Sequence, residues 1–506
     1  MLKKFKKIKI LTFLIVGLLL LTSFSMISIA QEDKPIMFEQ VTENPPARSM
    51  WIGALIGTWK EMGVQYGERA ASDIRRTFDM KWKGTIAGTS RWRKNLTAEE
   101  KAKYTVAYIE SSYKEMSYLS PEVIEFVQGV AEGAAQELNK SEYADVCSNF
   151  TKIAFLSFAG VHFAYEFPGA GINCNGFYVK GEATKTGETY ATGTDQDAIV
   201  DDLDAVQIAC VFVPKDPNAR VFSYLGTAGV IGGTGCGMIN DLGLAVVMSG
   251  AQYDVANEQW EDTLAPGVKD STLAFYGVAF SKTAREAAER VTIGTPKYRE
   301  ITGRKTLLRA RGANIMFMDV NEAYCVEQNA FHYAIRRPGY LGEKGNNFIV
   351  NANDFQYKDG SYDENNIWNP DEPMTKYTPQ EEGSGTYYRF WSGMWELINN
   401  YGKIDREMML RELATSHNAY DKEGNKIDPD PVTGEPTVST FCTHSGERSE
   451  TYPLGTGGNN KTTVFVLNTA EVYWVPAFPC SYIEKSWNYL DLKPYAEYRK
   501  LLWNIE

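Results

Sequence analysis

Histidine is scarce in this chain. His162, His332, His417 and His444 are the only four among 506 residues. They are not clustered, and none of the seven cysteines stands in a Cys-x-x-Cys pair, so the sequence carries no zinc-ligand spacing. His332 and His417 have no evident partner, and His444 reads as a packed or solvent-facing side chain. No Gly-x-Ser-x-Gly pentapeptide occurs, which removes the nucleophile elbow of a serine esterase or lipase. Basic charge is also lacking: the formal net charge is −12. An acidic globule is a poor partner for nucleic acid or an anionic membrane, and the charge is read as solubility. No internal repeat is visible.

What is present describes a large folded protein. Hydrophobic residues make up 43%, enough for a sizeable core, and an aromatic share of 13% argues against disorder. Lys3, Lys4, Lys6, Lys7 and Lys9 precede an apolar run over residues 11–21, and Ser28-Ile29-Ala30 supplies small residues for a signal peptidase. Residues 1–30 are therefore expected to be a signal peptide that sends the protein out of the cytoplasm, to the periplasm, the cell surface or the medium. No cysteine sits at this junction, which argues against a lipid anchor. Uncleaved, residues 10–30 are long enough to anchor the chain in a membrane. An odd count of cysteines (Cys147, Cys174, Cys210, Cys236, Cys325, Cys442 and Cys480) leaves at least one thiol outside any disulfide set, and Cys174 is the candidate.

Along the chain, residues 50–55 read as a strand. A helix capped by Thr58 follows, with Trp59, Met62, Tyr66, Ala70 and Ile74 in helical period. Ser120-Pro121 opens another helix whose apolar face is Val123, Ile124, Val127, Val130 and Ala131. The segment before Cys174 is thus helix-rich. After it come strands, at 208–213, 245–249, 315–320, 324–327, 331–335 and 348–350, with a helical stretch within 273–291 and a late hairpin at 464–467 and 472–475. Residues 383–386 and 421–435 read as surface loops. Grouped helices and alternating strands give an α+β class.

The chemistry gathers around Cys174. It opens Asn173-Cys174-Asn175-Gly176-Phe177-Tyr178-Val179-Lys180-Gly181, which runs through Thr184-Lys185-Thr186-Gly187 to Gly193-Thr194-Asp195-Gln196-Asp197. This reads as a tight β-hairpin, with Gly187 at the turn where positive φ is needed. Asp197 then comes back to within about two residues of the position opposite Cys174. Further on, Gly232-x-x-Gly235-x-Gly237 leads into Asn240-Asp241-Leu242-Gly243-Leu244, without a P-loop lysine. Gly312-Ala313-Asn314 through Asp319 and Glu327 follows, then Arg336-Arg337-Pro338, and Phe348-Ile349-Val350-Asn351-Ala352-Asn353-Asp354-Phe355.

These blocks, with Glu61-Met62-Gly63-x-x-Tyr66-Gly67, Gly129-Val130-Ala131-Glu132-Gly133, Cys442-Thr443-His444 and Pro479-Cys480, resemble in order the acyl-coenzyme A:6-aminopenicillanic acid acyltransferase-like family of cysteine N-terminal-nucleophile (Ntn) hydrolases. The resemblance implies a four-layer αββα sandwich. It also implies a precursor that cuts itself between Asn173 and Cys174. The result is a signal peptide at 1–30, a helix-rich pro-segment at 31–173, and a catalytic chain at 174–506 that stays associated with it. Cys174 would be nucleophile and, through its new α-amine, base. Asp197 would hold the amine and thiol, and the amide of Asn353 would meet the oxyanion. Asn351 is the rival should the register slip by two. Asp195, where the family has Asn, and Asn240 are secondary candidates. Two adjacent carboxylates, Asp195 and Asp197, would raise the pKa of one of them. No cofactor and no metal are implied. The expected substrate is a small acylated amine or linear amide, hydrolysed or passed to another amine. The competing reading is a catalytically idle exported binding protein that keeps the fold.

Overall fold

The computed structural model describes residues 49–86, 96–158, 173–197, 207–232, 237–251, 265–342, 344–377, 384–431, 434, 437–445, 457–476, 479–482 and 487–505. The expected signal segment, Cys236, His162 and most of the glycine-rich loop at 233–236 lie outside these. No helix among the described residues is long and apolar enough to cross a membrane.

The described residues open with β1 (Ser49–Gly57) and α1 (Trp59–Arg69). Thr58 closes a capping box with Glu61, so the helix starts where the sequence places it. Next come α2 (Ala71–Ile86), α3 (Ala98–Leu119), α4 (Pro121–Gly133) and α5 (Asn149–Phe158). Ser120 caps α4, and Pro121 occupies its first turn. α1 and α4 touch backbone to backbone. A Cβ on Gly63 would stand 2.3 Å from the Phe126 carbonyl oxygen, and one on Gly129 would stand 2.2 Å from that of Lys60. Gly67 and Gly133 repeat the contact one turn on, so the two glycine pairs that resemble family motifs are there for close approach.

The strands are β2 (Asn173–Val179), β3 (Tyr190–Asp197), β4 (Gln207–Pro214), β5 (Phe222–Thr227), β6 (Met238–Ile239), β7 (Ala245–Gly250), β8 (Ala313–Met318), β9 (Ala323–Gln328), β10 (Tyr333–Arg336), β11 (Phe348–Asn351), β12 (Ser361–Tyr362), β13 (Trp368–Asn369), β14 (His444–Ser445), β15 (Gly457–Val466), β16 (Glu471–Pro476) and β17 (Asn488–Asp491). One sheet runs β13-β12-β10-β9-β8-β7-β6, and the Phe222–Asn240 bridge joins it to a smaller sheet, β1-β4-β5. The other runs β11-β2-β3-β15-β16-β17, with β14 on β15. β1 lies parallel to β4, so the segment before Cys174 supplies a strand to the segment after it.

Side-chain alternation sorts the core. Tyr178, Ala191, Ile349 and Phe465 meet Val211, Val247, Met316 and Cys325 in one apolar cluster. Their neighbours Phe177, Val179, Phe348 and Val350 face away and pack on Phe390, Met394 and Leu397 of α8 (Gly385–Asn399). A third cluster joins Ile208, Phe212, Val246 and Phe317 to α1, α4 and α5 and to α6 (Asp270–Phe280) and α7 (Ala284–Thr292). The fold is mixed α+β, closed by α9 (Lys493–Trp503).

Three local expectations are corrected. The β2–β3 connection is not tight: residues 180–189 include a short 3₁₀ turn and fold onto another loop, with Lys185 N–H donating to the Ile404 carbonyl at 2.8 Å and Gly402 N–H to that of Ala183 at 2.9 Å. Gly187 does take positive φ, +76°. The stretch 273–291 is two helices, because Thr283 caps α7 with its side chain. Ser384, read as loop, is the N-cap of α8, whose Phe390, Met394 and Leu397 recur at helical spacing.

Candidate active site

Cys174 is the second residue of β2 and is 3% exposed. Alternation places it on the face of Tyr178, toward the other sheet. Between them Gly176 has no side chain, and a Cβ there would stand 3.0 Å from Val247 of β7. The absent side chain lets the two sheets approach beside the cysteine. In the β2–β3 ladder Asp195 is directly opposite Cys174, Gln196 is opposite Asn173, and Asp197 is the last residue of β3. The side chains of Asn173, Asp195 and Asp197 lie outside the described residues.

The other neighbour of β2 is β11, with Asn351 opposite Gly176. The chain leaving β11 therefore passes Cys174. Asn353, fully buried, accepts the Cys174 N–H on Oδ1 at 2.8 Å and donates Nδ2–H to the Gly250 carbonyl at 2.7 Å. The fold thus brings Asn353 to Cys174, but it presents oxygen and not the NH2 that an oxyanion needs. The reason is Arg389 of α8, which sequence reasoning missed. Its Nη2 donates to the same Oδ1 at 2.8 Å and to Thr386 Oγ1 at 3.0 Å. A guanidinium can only donate, so the amide turns its acceptor toward it.

Arg389 is completely buried, and its Nε and Nη1 have no hydrogen-bond partner among the described residues. Burial pushes its pKa down to about 10, against the pull of Asp354 and Cys174. It remains a cation at neutral pH, set beside the thiol. Its signal in the sequence was an arginine between Tyr388 and Phe390 on the apolar side of a helix capped by Ser384.

A buried frame holds the loop that carries Asn353. Asn314 Nδ2 donates to the carbonyls of Ala352 and Asp354, at 2.7 and 2.9 Å. Glu327 Oε2 accepts the N–H groups of Gln356 and Tyr357, at 2.7 and 2.8 Å. Arg336 donates Nε–H to Glu327 Oε1 at 2.8 Å and Nη2–H to the Val350 carbonyl at 2.7 Å. The blocks around Asn314, Glu327 and Arg336 therefore act on the site through this loop.

The secondary candidates are placed differently. Asn351 donates to Ser249 Oγ at 3.2 Å, beside the Gly250 that holds Asn353. Asn240 is saturated: it donates to the carbonyls of Val278 and Ser281 and accepts the N–H groups of Leu242 and Leu244. It ties the β6–β7 turn to the end of α6, at the opposite end of β7 from Gly250. His332 stacks on Tyr377, and burial lowers its pKa. His417, Cys442 and Cys480, distant in sequence and without metal-ligand spacing, converge in the fold.

No known family profile matches the chain, and no curated protein does. Among solved structures, a mutant conjugated bile acid hydrolase from Clostridium perfringens is similar at TM-score 0.32 and 11% identity, covering 63% of this chain and 92% of that one. Penicillin V acylase from Agrobacterium tumefaciens is similar at TM-score 0.28 and 10% identity, over 60% and 83%. A second variant of the Clostridium perfringens hydrolase gives TM-score 0.26 and 13% identity, over 65% and 86%. Likeness at these scores carries no argument about family or activity.

Proposed function

We propose that this protein is an exported, self-processing cysteine Ntn amidohydrolase that acts through an acyl-enzyme on Cys174. The observation that supports it most is the nitrogen of Cys174, held at 2.8 Å by Asn353, which is itself held by a buried arginine. Any buried backbone N–H needs an acceptor, but here the acceptor is a side chain that a buried cation holds in turn. Such a mount suits a nitrogen that becomes a catalytic base.

In maturation the Cys174 thiol attacks the Asn173 carbonyl. The C–N bond breaks, the nitrogen leaves as the α-amine of Cys174, and water hydrolyses the Asn173 thioester to a carboxylate and a thiol. The amine titrates at roughly pH 7.7–8.0, so near neutrality it accepts the thiol proton as sulfur attacks a substrate amide and then passes it to the leaving amine. Water, or a second amine, releases the acyl group. Asn353 orients the amine by accepting its N–H, and Arg389 supplies positive charge where thiolate and oxyanion form. Asp197, two residues beyond the position opposite Cys174, helps hold the nucleophile.

The three apolar clusters fit the layering helix, sheet, sheet, helix of an Ntn sandwich. The mature fragments stay together because β1 pairs with β4, and Trp59 and Phe126 pack on Phe212 and Phe275. The test is the denatured mass of wild type beside Cys174→Ala. Two fragments in wild type, the larger beginning at Cys174, and one intact chain in the mutant support the reading. N-acyl amino acids, penicillins and small acyl amides then form the substrate panel. A wild type that stays intact for days near neutral pH, and whose Cys174 resists thiol labelling, refutes it in favour of an idle binding protein.

A further inference from the structure

We propose that His417, Cys442 and Cys480 form a site for one zinc-type divalent cation that clamps three segments of the chain together. One ring nitrogen and two sulfur atoms lie within 4.8 Å of one another. Zn–S bonds of about 2.3 Å and Zn–N bonds of about 2.0 Å in a tetrahedron set donor atoms roughly 3.5–3.8 Å apart, so the three close on a cation by about one ångström. Two thiolates and an imidazole are soft and borderline donors that select zinc over calcium or magnesium. Water or a further donor completes the tetrahedron.

The donors are set on fixed backbone. Cys442 N–H donates to the Ser416 carbonyl at 3.0 Å, which joins the two loops beside His417. On either side of His417, Ser416 Oγ and Asn418 Nδ2 both donate to Glu396 Oε1 of α8, at 2.7 and 2.6 Å. Cys442 sits in a turn closed by Thr440 Oγ1–H to its own carbonyl at 2.9 Å and Thr443 Oγ1–H to the Thr440 carbonyl at 2.8 Å. Cys480 lies in the 3₁₀ turn Pro479–Tyr482, just after β16. Neither cysteine is in a disulfide. By contrast, the thiols of Cys210 and Cys325 are raised by burial and belong to no such group among the described residues.

The site's place gives its role. Two residues after Cys442, His444 pairs with Gly458, and Gly458 pairs with Asp197. A cation here would fix β14 and its turn at the end of the sheet where β3 finishes. Uptake would release the two thiol protons.

The experiment uses the full-length protein, reduced and stripped with a chelator, titrated with Zn²⁺ against a chromophoric competitor and separately with Co²⁺. One equivalent is expected, with thiolate-to-cobalt charge transfer in the near ultraviolet. Cys442→Ser, Cys480→Ser and His417→Gln should each weaken binding by at least about 100-fold, since even outer-shell partners of a metal are worth about 10–100-fold. His417 is only half-buried, so His417→Gln tests the site without emptying a core position. Cys174→Ala should bind Zn²⁺ like wild type, which separates this inference from the chemistry proposed above. Reduced protein that takes up no Zn²⁺, a Cys442–Cys480 disulfide in place of metal, or His417→Gln binding as tightly as wild type would each overturn it.

Discussion

Glu327→Gln tests whether the frame beneath Asn353 is as important as its geometry implies. Glu327 and Arg336 are both 0% exposed and meet at 2.8 Å. The carboxylate serves three donors: Arg336 on one oxygen, and the N–H groups of Gln356 and Tyr357 on the other. A glutamine has one acceptor oxygen. If it keeps the two backbone N–H groups, its NH2 is turned against the guanidinium, and Arg336 loses its carboxylate. Breaking a buried pair in this way costs about 3–5 kcal/mol. In Glu327→Gln/Arg336→Met the cation is gone and the glutamine oxygen still serves the loop. The chief remaining loss is a donor to the Val350 carbonyl, about 1–3 kcal/mol. The double mutant should therefore be less destabilised than the sum of the singles by at least about 2 kcal/mol. Urea unfolding followed by circular dichroism, on all four proteins, measures this. Because the frame spans residues 350–357, Glu327→Gln should also slow appearance of the fragment beginning at Cys174, with partial recovery in the double mutant. A single mutant within about 1 kcal/mol of wild type, or strict additivity, would refute the reasoning.

Asn353→Leu leaves the Cys174 nitrogen without its acceptor and removes one of the two partners of Arg389; hydrogen bonds to charged groups are worth about 1.5–3 kcal/mol, so the rate of Cys174-dependent turnover should fall about 10–100-fold in a kinetic assay. Asn353→Asp, which keeps an acceptor, should retain more activity than Leu, and equal losses would count against a positioning role. Lys269 is fully buried, its Nζ has no hydrogen-bond partner among the described residues, and burial lowers its pKa from 10.5 to about 7. Between pH 7 and 10.5 the unfolded chain binds a proton there that the folded chain does not, so this group's penalty is largest below pH 7 and fades as pH rises toward 10.5. Lys269→Met should raise the melting temperature at pH 7 and lose that advantage near pH 10; a mutant less stable than wild type at pH 7 would contradict this.

Elements with local signatures were legible in the sequence. Thr58 with Glu61, and Ser120 with Pro121, mark helix starts through bonds made within one turn, and both helices begin there. The alternation of Phe177, Tyr178 and Val179 is enough to divide them between two cores once a strand is assumed. Two local caps went unread, Thr283 within 273–291 and Ser384 before α8, and one failure was set by distant partners. The β2–β3 connection departs from a tight turn because it bonds to residues 402–404, which no local rule sees. Within 273–291 the break is marked by the Thr283 cap, and Asn240 on a different turn adds a donor to the carbonyl of Ser281.

The site divides along the same line. Cys174 and the carboxylate positions of β3 could be set near one another by reading a hairpin, whereas Asn353, beyond the end of β11, was named only through the family resemblance. The orientation of Asn353 could not be read from either. It depends on Arg389, one helical turn into α8, and an amide is symmetric in shape but opposite in polarity at its two ends. The same fact bears on the chemistry. An amide clamped by a donor on one side and the Gly250 carbonyl on the other would have to break both bonds to turn its NH2 toward an oxyanion, so in the mechanism proposed above charge stabilisation at Cys174 would fall to Arg389. His417, Cys442 and Cys480 make the corresponding case for metals. The ligand spacings of small zinc modules belong to donors on one turn or hairpin, whereas these three are gathered by a loop bonded to α8, a strand-edge turn and a 3₁₀ turn, and only the assembled fold makes them neighbours.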